Sequence, residues 1–160
     1  MSKSLRLLTQ VLVVAAVLSL PWRLAGGEPA TARGQLLFVP VYSELAYGDR
    51  KHTLNLSATL TIRNTDRKNP LSLTRVDYYS SQGMLLRSYL KKPQSISPMA
   101  SVEYIISGAD RTGGTAASFL VEWESASPMS VPVVEAVMIS AASMYGVSFQ
   151  SVAQVLEETR

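Results

Sequence analysis

The chain has 160 residues, room for one domain once an N-terminal segment is set aside. It contains no cysteine, which excludes disulfides, thiolate metal sites, iron–sulfur clusters, a cysteine nucleophile and a lipid on an N-terminal cysteine. Of its 15 Lys and Arg, three (Lys3, Arg6 and Arg23) fall in that first segment, as does Glu28 of its 12 Asp and Glu; the remaining charges nearly balance, leaving no polybasic patch for nucleic acid.

Residues 1–32 read as a signal peptide. Lys3 and Arg6 form a positive n-region, Val11–Leu20 is an apolar run interrupted only by Ser19, and small residues at Ala25–Gly27 and Ala30–Ala32 offer cleavage sites. Between Arg6 and Arg23 lie 16 uncharged residues, against the roughly 20 apolar residues of a spanning helix. The expectation is an exported protein, periplasmic or secreted; an uncleaved membrane anchor is the alternative. A β-domain over residues 33–151 follows, then a tail over 152–160.

The domain reads as strands divided by turn residues. "QLLFVPVY" comes first, its Pro40 pointing to an edge or a bulge. "AYGDRKH" then offers the turn pair Gly48–Asp49. From His52 to Arg63, Leu54, Leu56, Ala58, Leu60 and Ile62 share one side, while Thr53, Asn55, Ser57, Thr59 and Thr61 share the other. That alternation predicts a half-buried antiparallel strand, and "NTDRKNP" ends it.

"LSLTRVDYY" and "MLLRSYL" flank the turn "SSQG" as a hairpin. "SVEYIIS" follows the loop "KKPQSISPMA", "ASFLVEWE" follows the glycine loop "GADRTGGT", and "PVVEAVMIS" and "GVSFQS" come last. In the tail, Phe149, Val152, Ala153 and Leu156 have helical spacing, which predicts a short helix. About eight short strands with polar turns indicate an all-β, antiparallel β-sandwich of immunoglobulin-like or fibronectin-like architecture.

The blocks "FVPVYSELAYGDRKHTLNLSATLTIRNTD", "LTRVDYYSSQGMLLRSYL", "SFLVEW", "PVVEAVMI" and "GVSF" together resemble a bacterial family of exported proteins, domain-of-unknown-function family 3124. The resemblance spans Gln35 to Ser151. It departs from the family pattern in lacking a lipid-bearing cysteine, in the tail after Ser151, and in a looser glycine loop at "GGTAAS". It implies export and one compact domain, and carries no functional residues with it.

Candidate chemistry is sparse. His52 is the only histidine, so any Ser–His–Asp relay must use it, yet no G-x-S-x-G elbow supplies a serine. Its place after Gly48–Asp49 reads as the lip of a hairpin. One histidine leaves oxygen ligands for a metal, and Asp49, Asp66, Asp77 and Asp110 lack calcium-loop spacing. "GADRTGGT" has no Gly-Lys-Ser/Thr ending and lies between strands, so it reads as a flexible connection rather than a phosphate loop. Glu122 and Glu124 share the outward face of their strand, because Phe119, Val121 and Trp123 hold the other. The hydroxyl stripe Thr53–Thr61 and one of Tyr78 and Tyr79 could meet a glycan, since neighbouring strand residues face opposite sides.

Glu135 is the only charge in a run apolar on both faces. It is expected to be a buried structural carboxylate paired with Arg63 or Arg75. The residues a ligand would meet are Tyr47, Asp49, His52 and Tyr79; no catalytic residue, metal or cofactor is assigned. The expected function is a binding or structural module of the cell envelope, without catalysis, whose partner is an envelope protein or glycan. Nucleic acid is excluded, and the membrane is reached only through an uncleaved N-terminal segment. The alternatives are a hydrolase using His52 or carboxylates, and a membrane-tethered accessory subunit.

Overall fold

The computed structural model describes residues 30–49, 51–140 and 146–160. The leader, apart from its last residues Ala30–Ala32, therefore lies outside the described residues. No helix among them is long and apolar enough to cross a membrane.

The fold is all-β. Its strands are β1 (Thr31–Val41), β2 (Glu44–Tyr47), β3 (His52–Asn55), β4 (Ser57–Arg63), β5 (Leu71–Tyr79), β6 (Leu85–Ser88), β7 (Gln94–Ile96), β8 (Ser101–Ile106), β9 (Ala117–Ser130), β10 (Val133–Ser140), β11 (Val147–Val152) and β12 (Gln154–Thr159). A large sheet runs β12-β1-β9-β5-β6, with β7 also on β5; a smaller one runs β11-β10-β4-β8; β2 and β3 form a separate hairpin. Every described pairing is antiparallel.

The alternation in sequence becomes two facing layers. Leu37, Val39 and Val41 of β1, Leu73, Val76 and Tyr78 of β5 and Phe119, Val121 and Trp123 of β9 are buried together with Leu60 and Ile62 of β4 and Val134, Ala136 and Met138 of β10. Each large apolar side chain so buried favours folding by about 1.5–3 kcal/mol. The layer of apolar residues replaces the disulfides this chain cannot make.

The strand number exceeds the expected eight for four reasons, the first being that Glu44–Tyr47 forms a strand of its own, β2. The predicted strand His52–Arg63 divides at Leu56, because β3 pairs with β2 while β4 joins the small sheet. The "QSI" of an expected loop pairs with Leu71–Leu73 as β7. The tail is not a helix: Ala153 donates its amide to Val134 O at 3.0 Å, and β12 then crosses to pair with Gly34–Phe38. Its helical spacing had no face to bury, for Val152 and Leu156 are 63% and 52% exposed, whereas β1 offered a free ladder edge. Pro40 sits beyond the end of that ladder, where Phe38 is the last residue paired with β12. No amide is needed there, and the Ser151 hydroxyl donates to the Pro40 carbonyl.

The strands define two ends. Ala30 enters at one, beside the 64–70 and 97–100 loops and the β9–β10 turn. The β2–β3 hairpin, the Ser80–Met84 turn and the glycine loop crowd the other.

Candidate functional site

The hairpin tip gathers three of the four residues expected to meet a ligand. Tyr47 and His52 form the last cross-strand pair, with ring centroids 5.3 Å apart. Gly48 and Asp49 both take positive φ, 58° and 54°, and Lys51 donates to Gly48 O at 3.0 Å. Glycine and aspartate tolerate that conformation, which explains the residue types. Tyr79 is elsewhere, on the outward side of β5 opposite Ser118 and Leu85. Among the described residues no hydrogen bond or ring contact joins it to the tip. Its neighbour Tyr78 is the core member of the pair, 1% exposed.

Glu135 is not buried. Its side chain is 20% exposed on the outward face of the small sheet, where it accepts from Arg63. The run around it is apolar on both faces because Val133 and Ile139 stand in solvent, 43% and 49% exposed. Apolar composition on both faces is thus compatible with only one covered face. Arg75 instead meets Glu122 at 3.3 Å, outside the core.

The glycine loop is pinned rather than flexible. Its Gly113 and Gly114 carbonyls accept from Ser81 and Ser43 amides at 2.9 and 3.1 Å. The Tyr78 hydroxyl, sharing a hydrogen bond with Ser43 Oγ at 2.8 Å, fills the space where a side chain on Gly113 would be. Burial pushes the Tyr78 phenol above its usual pKa. Asp110, in the same loop, is held below the usual carboxylate range by the Thr112 hydroxyl and amide, with Arg87 3.7 Å away.

At the opposite end Asp66 is consumed by structure. Its carboxylate accepts the amides of Lys68, Asn69 and Ser130 at 2.8–2.9 Å, and these bonds lower its pKa to about 2. Asn64, 2% exposed, donates to the carbonyls of Asn69, Ile96 and Ser97 and accepts from the Asp66 amide. Asp66 and Asp110 therefore lie at opposite ends, and no metal-binding group of three His, Cys, Asp or Glu forms among the described residues. The sequence signal for this knot was the Asx chemistry of "NTD", read as a strand terminator only.

A concave feature among the described residues was not expected. Two hollows of about 330 and 520 Å³ adjoin along β9 and share Glu124 and Ser125. Backbone irregularities open them: pairing of β1 with β9 shifts between Ala32 and Gly34, and that of β5 with β9 between Leu73 and Arg75. At Gly34, on the rim of one hollow, β1 crowds β9 so closely that a Cβ would meet the Trp123 carbonyl at 2.8 Å. Arg33, Thr74, Glu122 and Glu157 line one hollow; Asn69, Ser72, Ser95 and Ser127 line the other. The walls offer hydroxyls, carboxylates and a guanidinium, groups that exchange hydrogen bonds with a hydroxylated ligand.

A family profile described as "Protein of unknown function (DUF3124)" matches residues 34–156. No curated protein matches the sequence. A solved structure titled "Crystal Structure of Thermotoga maritima 1070" is 16% identical with a TM-score of 0.48, covering 80% of this chain and 97% of that one. With its family match running from the first strand into the last, this chain belongs to the DUF3124 family of proteins of unknown function.

Proposed function

We propose that this is an exported module of the cell envelope, an immunoglobulin-like or fibronectin-like β-sandwich, that binds a glycan in the hollows beside β9 without catalysis. The observation that carries the reading is the run of polar side chains from Thr74 and Glu122 through Glu124 and Ser125 to Ser72, Ser95 and Ser127, set among the apolar Pro70, Leu71 and Ala126. Sugar hydroxyls both donate and accept, as serine hydroxyls do, and carboxylates accept from paired hydroxyls. Each such bond replaces one to water and contributes only about 0.5–1.5 kcal/mol, so affinity rests on several at once. Register shifts on both sides of β9 shape the hollows in the backbone itself, which reduces the ordering needed on binding. Export is supported by the n-region, short apolar run and small residues of the leader. A hydrolase built on His52 would act at the hairpin end rather than in the hollows, whereas one built on carboxylates would use Glu122 or Glu124 within them.

The test is saturation-transfer NMR and calorimetry of the purified chain against soluble peptidoglycan fragments and envelope polysaccharides. Ser125→Phe fills the junction of the hollows and should abolish binding; Glu124→Gln should weaken it severalfold. Absence of binding across the panel, or wild-type binding by Ser125→Phe, refutes the reading.

A further inference from the structure

The end at which Ala30 enters combines three features; the opposite end also exposes apolar Met84 and the cation Lys51, but the N-terminal segment does not join the fold there. The first is an apolar side chain held outward. Ser97–Ala100 is a turn closed by Ala100 N donating to Ser97 O at 3.1 Å, with Pro98 second and Met99 third. Met99 has φ 62°, the conformation that favours glycine at this turn position. The chain nevertheless carries methionine there, 66% exposed. The turn is tied to the neighbouring loop, since Met99 donates its amide to Asp66 O at 3.2 Å and Asn64 bonds the Ser97 carbonyl at 3.1 Å.

The second is a pair of cations in that neighbouring loop. Arg67 and Lys68 are exposed and form no ion pair among the described residues. The adjacent carboxylate, Asp66, faces inward to three backbone amides. Arg33 lies close by on β1, its guanidinium donating to Ala126 O at 2.8 Å. Glu124, Glu157 and Glu158 stand further along the large sheet, level with Gly34–Leu36, and Glu158 is taken up by Gln35 and Arg160.

The third is the point of chain entry. The Ala30 carbonyl accepts from Val131 N at 3.1 Å, so the segment containing the apolar run Val11–Leu20 joins the fold at this end. The ten residues from Leu20 to Ala30 reach at most about 35 Å. Whenever that run occupies a bilayer, this end is where the domain is attached to it.

We propose that the Ala30 end of the domain docks on an anionic phospholipid surface, with Met99 entering the headgroup layer and Arg67 and Lys68 meeting lipid phosphates. This surface is separate from the hollows and stands or falls independently of them. Each basic residue near such a surface raises partitioning about fivefold.

The absence of cysteine makes the test direct. Met99→Cys in the full chain, labelled with an environment-sensitive fluorophore, should shift to the blue on phosphatidylglycerol vesicles and not on phosphatidylcholine vesicles. Raising salt to about 0.5 M should reverse the shift. The double change Arg67→Glu/Lys68→Glu should lower partitioning at least about 25-fold, and the same label at Met84→Cys, at the opposite end, should stay silent. In the unlabelled chain, Met99→Ser should reduce co-sedimentation with the anionic vesicles. The leader is common to all variants. A response at both labelled positions, or one at 99 that survives the charge reversal, shows tethering by the leader alone and overturns the proposal. A silent label at 99 overturns it as well, and leaves the basic end to an acidic protein.

Discussion

Gly113→Ala sets two opposite effects against each other. Gly113 has φ −71° and ψ −30°, which alanine adopts freely. By chain entropy alone the change should stabilise the fold by about 0.4–1 kcal/mol. The added Cβ, however, would sit 1.9 Å from the Tyr78 hydroxyl oxygen, 2.7 Å from Ser43 Oγ and 2.8 Å from Ala117 Cβ. Tyr78 cannot swing away easily, because its ring packs against Phe119 at a centroid distance of 5.3 Å. Overpacking of this kind costs about 1–3 kcal/mol, and a gap this small belongs at the upper end. A net loss of about 2 kcal/mol is expected.

Tyr78→Phe alone leaves the buried Ser43 hydroxyl without its 2.8 Å partner, a loss of about 1–3 kcal/mol. In the Tyr78→Phe background the closest clash disappears, so Gly113→Ala should cost less there, with a coupling of about 1–2 kcal/mol. Urea unfolding followed by the emission of buried Trp123 measures all four forms of the cycle. A stabilising Gly113→Ala, or additive costs, would refute the packing of Tyr78 under the glycine loop.

Glu135→Ala should cost no more than about 1 kcal/mol, because both partners of its ion pair reach solvent; urea midpoints in low and high salt measure it, and a loss above about 3 kcal/mol would restore the buried-charge reading. Asp66 has a folded pKa of about 2 against an ordinary value of 3.8, so its contribution is complete above about pH 4 and fades as pH falls toward about 2. Urea midpoints of wild type should therefore drop over that window, and those of Asp66→Asn should lack this component; parallel curves contradict the three-amide cradle. His52→Ala should change stability by no more than about 0.5 kcal/mol, and a larger fall in the urea midpoint means the tip supports the core. Truncation after Ala153 should speed hydrogen exchange at Gly34–Phe38 and spare β4, whereas protection unchanged at β1 rules out β12 as its ladder partner.

The parts of the fold legible in sequence were those whose cause is local. Alternation from Leu54 to Ile62 announced a half-buried strand, and its buried members in β4 are 0–1% exposed. The turn "SSQG" joins β5 to β6 through Gly83 at φ 77°, as a glycine turn should. β7 and β12 were illegible for the opposite reason. Three residues in a Pro- and Ser-rich loop have no periodicity, and β7 exists because Leu71–Leu73 presents an open ladder across 20 intervening residues. The tail misled because spacing in ten residues is weak evidence when a partner strand lies more than a hundred residues away.

The site was less legible still, and the Asn64–Lys68 stretch shows why. Two short side chains there satisfy seven backbone groups: four fall to Asn64 and three to Asp66. Those groups come from the β4–β5 loop, the β7–β8 loop and β9, so one knot closes an end of a fold that has no disulfide to close it. An acidic side chain scanned as a candidate ligand is thereby used up. The residues beside it, Arg67 and Lys68, look like loop charges in sequence, yet the knot fixes them near Met99, some thirty residues further on. Glu122 and Glu124 show the same inversion: commonplace as alternating surface residues, they acquire a concave setting only because β9 shifts register against both neighbours. In this chain the residues with the most conspicuous chemistry in sequence are largely committed to holding backbone. The hollows and the Met99 end are made instead of ordinary residues that long-range pairing brings together.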